Sequence, residues 1–297
     1  MTTSPSSSSS PSSSTHTRPS TILVTGGTGK TGRRVAALLN ARGIRARVAS
    51  RRSADGPDAV RFDWADETTW PAALDGVRAV YLVDSQTPTA PAELRAFTEL
   101  AAAHGVERVV LLSARVLAEV GDPAWLATED AIREGSVPWT ILRPTWFIQN
   151  FLEEPLIVGA VSASADELRM PTGEGREPFI DAEDIAEAAV AALTGEGHAG
   201  QTYELSGPEA LTWGEAVAEI ARATGRALRF TPVDDEEALE VLTAAGWPRE
   251  FVEQYLPLLA HIRHGRSATL SDGVQRLLGR APGSVAAYTE RVAKETA

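Results

Sequence analysis

A chain of 297 residues, 43% hydrophobic, has apolar material for a full core in one large or two modest domains. Its formal charge of −12, with 40 acidic against 28 basic residues, argues against nucleic acid or an acidic membrane as partner, because phosphate-rich surfaces need a basic face. The absence of cysteine excludes disulfides, thiol nucleophiles and thiolate metal sites, and is compatible with a reducing compartment.

Residues 1–20 are almost all Ser, Thr and Pro and lack the apolar core of a signal peptide, and no later run is long and apolar enough to span a bilayer. The expectation is a disordered tail on a soluble, cytoplasmic protein. From Ile22 the pattern changes. Ile22-Leu23-Val24-Thr25-Gly26-Gly27-Thr28-Gly29-Lys30-Thr31-Gly32-Arg33-Arg34-Val35 reads as a strand, a tight turn and a helix start. Gly26 permits the turn, Gly29 lets backbone approach a pyrophosphate, and Gly32 lets the helix pack closely on the sheet. The helix N-terminus then offers unpaired N–H groups to an anion. Gly29-Lys30-Thr31 also resembles the end of a triphosphate P-loop, but that loop would begin at Val24, inside the strand. A dinucleotide is the favoured ligand, with Gly26, Gly27, Thr28, Gly29, Lys30, Thr31 and Gly32 around its phosphates.

The helix should stop at Gly43, and Ile44 to Ala49 alternates as a second strand. An NAD enzyme carries an acid at that strand end to bind the ribose hydroxyls. This chain has Ser50-Arg51-Arg52, a hydroxyl and two guanidinium groups suited to a 2′-phosphate, which points to NADPH. Solvated surface arginines are the competing reading. Asp63, between Phe62 and Trp64, stands either beside an adenine or as the cap of a helix suggested by residues 66–70. Val77 to Val83 reads as a buried parallel strand, and Asp84 opens the loop at its carboxyl end, where open α/β sheets hold ligands.

A helix over 92–104 and a strand over 109–114 bring Ser113 to the nicotinamide end of such a site. A helix around 127–134 and a strand over 139–142 lead into Arg143-Pro144-Thr145-Trp146-Phe147. This alternation predicts a Rossmann-like, doubly wound parallel sheet. Further on, Asp184 is expected to cap the helix 185–193, and residues 202–205 to rejoin the sheet edge. Thr212-Trp213-Gly214-Glu215 is a capping-box pattern opening the helix 216–224, residues 230–233 read as a strand, and 234–245 and 248–262 as helices. His261 and His264 lack a carboxylate partner at ligand spacing, so no metal is expected.

Thr25 to Gly32, Leu142-Arg143-Pro144, Gly173 to Ile180 and Asp184-Ile185-Ala186 resemble the NmrA-like group of atypical short-chain dehydrogenases. Phe62-Asp63-Trp64, Pro144 to Phe147 and Ser206 to Thr212 are similar to its ergot-alkaloid-biosynthesis subgroup. The resemblance implies an NADPH-binding Rossmann domain over residues 21–155, completed by about 177–206, with 156–176 and 207–297 as a small substrate lobe. It implies phosphate contacts from Gly26, Thr28, Gly29, Lys30 and Thr31, a 2′-phosphate contact from Arg51 and an adenine contact from Asp63. Val83, Ser113, Pro144 and Thr145 would border the nicotinamide. Trp125 stands where several such reductases carry a His or Lys, so the family's general acid does not transfer.

An ordinary short-chain dehydrogenase protonates a carbonyl through a Tyr whose pKa is lowered by a Lys four residues on. Here the two lysines are Lys30 and Lys294, and neither follows Tyr81, Tyr203, Tyr255 or Tyr288 at that spacing. Two readings survive. One is hydride transfer to an electrophile already activated, such as an iminium ion or conjugated quinone, with Ser113 orienting substrate or nicotinamide. The other is a non-catalytic NADP(H) sensor of the NmrA type. A small molecule is the expected partner, and Trp125, Trp146, Phe147, Asn150 and Phe151 are its candidate wall. Filling the junction between lobes is the alternative role for the last four.

Overall fold

Short apolar runs with period-two alternation build one parallel sheet, because successive side chains in a strand point to opposite faces. In the computed structural model, which describes residues 21–51, 56, 58–154, 157 and 166–296, its strands begin with β1 (Thr21–Val24), β2 (Arg45–Ser50) and β3 (Ala59–Arg61). They continue with β4 (Val77–Leu82), β5 (Arg108–Leu112), β6 (Trp139–Pro144) and the edge strand Gln201–Leu205. The expectations for the tail at 1–20 and for Arg52 lie outside the described residues. The spatial order is β3-β2-β1-β4-β5-β6 and then Gln201–Leu205, with every neighbouring pair parallel. The order reverses between β1 and β4, which opens a crevice at their carboxyl ends.

Alternation decides which helices cover which face. Ile22, Val24, Ala79 and Tyr81 point to a cluster with Val35 and Leu39 of helix Lys30–Ala41 and Ile185, Ala189 and Val190 of helix Ala182–Thr194. Leu23, Val80 and Leu82 point the other way, to Leu94 and Phe97 of helix Ala90–Ala103 and Ile132 of helix Pro123–Arg133. Helices on both faces make the sheet doubly wound. A third cluster joins Trp146, Phe151 and Phe179 to Trp213, Leu242, Leu259 and Tyr288 from the helices Trp213–Thr224, Asp235–Ala244, Arg249–Arg263 and Val285–Thr296. Thr212 and Glu215 close the expected capping box, at 3.0 and 2.8 Å.

Two caps fall elsewhere than the spacing suggested. Asp181, not Asp184, caps helix Ala182–Thr194, since the helix starts earlier than its apolar periodicity and the extended residue before it accepts from the Glu183 N–H at 3.0 Å. Asp184, inside the first turn, accepts instead from the Gly283 N–H at 2.7 Å and pairs with Arg280 at 2.7 Å. Likewise Asp66 caps the 3₁₀ turn Glu67–Thr69, while Asp63 closes a local turn by accepting from the Ala65 N–H at 3.1 Å. Among the described residues no helix is long and apolar enough to cross a membrane.

Candidate cofactor and substrate site

Past β1 the chain turns at Gly26 with φ +57°, and the Gly29 N–H closes on the Gly26 carbonyl at 2.8 Å. A Cβ on Gly32 would stand 2.3 Å from that same carbonyl oxygen, so the helix can start against the turn only with glycine there. Thr25 spans the switch point: its hydroxyl accepts from the Val83 N–H at 2.7 Å and lies 3.1 Å from the Tyr81 carbonyl. Helix Lys30–Ala41 begins at an extended Gly29 with no side-chain cap and no acid in its first turn. Its first N–H groups and positive dipole end are left for an anion, and the glycine cradle keeps side chains out of that space, which fits a dinucleotide diphosphate. Thr28 and Gly29 face solvent, whereas Gly27, Thr31 and Gly32 are buried beneath them.

At the end of β2, Ser50 is half-buried, and Arg51 is exposed and enters no ion pair among the described residues. Trp64 donates its indole N–H to the Val83 carbonyl at 3.1 Å and packs edge-on against Phe62, Trp70 and Phe97. Phe62 is therefore core, and Asp63 beside it is half-buried. Asp84 accepts from the Gln86 N–H at 3.0 Å, and burial pushes its carboxyl above the ordinary range.

Ser113, at the end of β5, donates its hydroxyl to Glu129 at 2.6 Å. Glu129 is fully buried, a residue that sequence reasoning missed. Arg143 grips it through two N–H groups at 2.9 and 2.6 Å, and Arg133 adds a third at 2.7 Å. Burial opposes ionisation of Glu129, but hydrogen bonds from Arg143 and Ser113 and the charges of Arg143 and Arg133 outweigh it and hold the carboxyl low. Arg143 was the available signal, because an arginine within a buried strand calls for an acid partner.

Pro144 and Thr145 are buried at the end of β6, where the Thr145 hydroxyl donates to the Pro178 carbonyl at 2.6 Å. The structure does not bring the expected substrate wall onto one surface. Trp146 and Phe151 join the third cluster, against Tyr255 at 5.6 Å and Trp213 at 5.3 Å between ring centroids. Phe147 packs against the cluster on the opposite side, under helices Lys30–Ala41 and Ala182–Thr194. Trp125 is half-buried in the first turn of helix Pro123–Arg133, and the Asn150 amide oxygen is buried without a partner among the described residues.

The Trp146 N–H donates to Glu177 at 3.2 Å, and this brings in a second buried charge cluster that the sequence did not announce. Arg115, also fully buried, directs its guanidinium to the Ser267 and Thr269 carbonyls and lies 2.9 Å from Glu119 and 4.0 Å from Glu177. His261 faces Glu119 at 3.5 Å, and burial lowers its pKa. Burial raises Glu177 to about 8, against the pull of Arg115 and the Trp146 N–H.

The model of a family described as NAD(P)H-binding matches residues 26–196. A (4-alkanoyl-5-oxo-2,5-dihydrofuran-3-yl)methyl phosphate reductase of Streptomyces griseus is 37% identical over 271 residues, covering 87% of this chain and 93% of that protein. Festuclavine dehydrogenase of Aspergillus fumigatus is 32% identical, covering 91% and 97%. The chain is an oxidoreductase of this NAD(P)H-binding family. Among solved structures, the triphenylmethane reductase of a Citrobacter species with NADP(H) superposes with a TM-score of 0.74 at 24% identity, covering 92% of this chain and 99% of that one, which establishes the shared fold. In this oxidoreductase the glycine turn at the β1/β4 switch point opens the stretch that the NAD(P)H-binding model matches.

Proposed function

We propose that this oxidoreductase uses NADPH to reduce a small organic electrophile that is already activated, such as a conjugated enone or quinone or an iminium ion. The observation that carries the reading is the state of Ser113, whose proton is directed at an ionised Glu129. A hydroxyl held that way is a poor acid, since the bond stabilises the proton on oxygen, and Glu129, its proton affinity lowered by two arginines, is a poor base. The chain also lacks a Tyr with a Lys four residues later. A substrate whose electron demand is built in needs hydride and orientation and little proton donation from the protein.

When bound, NADPH supplies the hydride. The loop Gly26–Gly32 holds its phosphates, Arg51 pairs with the 2′-phosphate, and Asp63 lies on the adenine side. Val83, Asp84, Pro144 and Thr145 shape the nicotinamide end, and the Ser113 oxygen accepts a hydrogen bond there. The residues expected as a substrate lobe, 156–176 and 207–297, would supply the small molecule's side of the site. The two relatives support this substrate class: the Streptomyces reductase acts on a dihydrofuran bearing 5-oxo and 4-alkanoyl groups, and the Aspergillus enzyme is a festuclavine dehydrogenase.

The test is stopped-flow absorbance of protein-bound NADPH mixed with enones, quinones and cyclic imines. Oxidation far above the uncatalysed rate with one class supports the reading, and tight NADPH binding with no turnover across all three overturns it. Replacing Arg51 by Asp should weaken NADPH at least about tenfold more than NADH, because it removes a charge-assisted contact and adds repulsion. Equal weakening of both, read by fluorescence titration, would remove Arg51 from the 2′-phosphate.

A further inference from the structure

The helix Lys30–Ala41 has no acid in its own first turn, yet carboxylates stand at that end of it. They belong to Glu153 and Glu154, at the end of the short helix Asn150–Glu153. Glu154 pairs with Lys30, and Glu153 pairs with Arg33 and, at 2.8 and 3.2 Å, with Arg34. Arg34 is fixed in turn by Glu183 and by the Lys30 carbonyl, at 2.8 and 2.9 Å. Burial favours the neutral form of Glu153, but Arg34 and then Arg33 outweigh it and keep the carboxyl below its ordinary range. The cations flanking the glycine loop are thus already neutralised by the protein's own anions.

A diphosphate arriving at that helix end seeks the same ammonium and N–H donors, and it repels carboxylates placed beside them. The segment that carries those carboxylates is tethered at its start. Gln149 anchors its start, donating to Asp181 at 2.6 Å and accepting from the Ala182 N–H at 2.8 Å. Beyond it, Asn150 keeps a buried amide oxygen without a partner among the described residues, a cost that a rearranged segment would relieve. Glu154 also faces the lobe, where its charge adds to burial in pushing the Tyr255 hydroxyl up to about 12.

We propose that Glu153 and Glu154 hold the cations beside the phosphate cradle, and that the cofactor's diphosphate takes those cations from them and frees the turn Asn150 to Glu154. This rests on the cradle being the dinucleotide site. The exchange reduces the apparent affinity for cofactor in proportion to the fraction of molecules whose cations are free of the carboxylates. It also sets an order of events. Cofactor binding unlocks Phe151 and Glu154, beside the aromatic cluster, before substrate arrives.

The experiment titrates NADP⁺ and adenosine 2′-monophosphate, which lacks a diphosphate, into the wild-type protein, E154Q and the double variant E153Q/E154Q, with thermal melting of each variant as a check on folding. The double variant should bind NADP⁺ roughly tenfold tighter, with E154Q in between and adenosine 2′-monophosphate unchanged. E154Q alone keeps the test decisive if loss of the Glu153–Arg34 pair unfolds the double variant. Amide hydrogen exchange supplies the second reading: NADP⁺ should slow exchange over residues 26–33 and quicken it over 150–154. Unchanged or weaker NADP⁺ binding in the variants, or slower exchange in both segments, overturns the proposal and makes the carboxylates a structural bridge or a belt over bound cofactor. A wild-type protein that binds neither NADP⁺ nor NADPH would instead sink the dinucleotide reading on which the proposal stands.

Discussion

Two regions of this molecule bury a carboxyl group, and they hold it in opposite states. Glu129, between β5, β6 and helix Pro123–Arg133, takes hydrogen bonds from Ser113, Arg133 and twice from Arg143, and stays ionised. Glu177, where the end of β6 meets the C-terminal helices, takes one N–H from Trp146 and has its cation, Arg115, 4.0 Å away and engaged elsewhere. At neutral pH it keeps its proton. Burial sets the penalty for charge in both places, and the number of donors aimed at the carboxylate decides whether it is overcome. A fixed anion therefore stands behind Ser113, and a neutral acid stands behind Trp146.

The sharpest way to test that contrast is to remove each group. Glu129→Ala leaves Arg143 and Arg133 without their shared partner and should cost about 3–5 kcal/mol in urea unfolding at pH 7. A loss under about 1 kcal/mol would mean that water already screens the pair. Glu177→Gln should act in the other direction. The folded carboxyl titrates near 8 against 4.5 for the unfolded chain, so its contribution to stability falls as pH rises between those values and is flat above. The variant should accordingly gain on the wild type from pH 5 to pH 8, levelling at a few kcal/mol. Glu129, held low, must show the reverse sign: its contribution is present above the ordinary carboxylate value and is lost as pH falls through the depressed one. If the Glu177→Gln difference were flat with pH, the two regions would not differ in protonation. Smallest is Ser113→Ala, which removes one bond to a charged acceptor and should cost about 1.5–3 kcal/mol. Turnover should also drop moderately if the Ser113 oxygen orients the nicotinamide or substrate, and an unchanged rate would remove it from the site.

Most of the sheet was legible because strand alternation and glycine chemistry are local. Ile22 and Val24 declare one face and Leu23 the other, and Gly26, Gly29 and Gly32 mark the turn without help from distant residues. The helix 216–224 was legible in its cap at Thr212 and Glu215. What escaped was long-range. Glu129 finds Arg143 fourteen residues on, Arg115 meets carbonyls over one hundred and fifty residues away, and Glu153 reaches back to Arg34. Sequence spacing carries no record of such pairs. The choice between substrate wall and junction filler for the aromatics was open for a related reason: Trp146 and Phe147 are adjacent in an extended segment, so they face opposite sides and enter different clusters.

The packing of helix Lys30–Ala41 against Ala182–Thr194 has a consequence for how the chain is made. The partner helix lies about 140 residues downstream, and the edge strand Gln201–Leu205 follows it. At ribosomal rates of roughly 5–20 residues per second, the apolar face with Val35 and Leu39 waits roughly seven to thirty seconds for its cover during synthesis. The nascent chain thus carries the glycine loop long before it carries a finished sheet, and in that interval the exposed face is a target for chaperones.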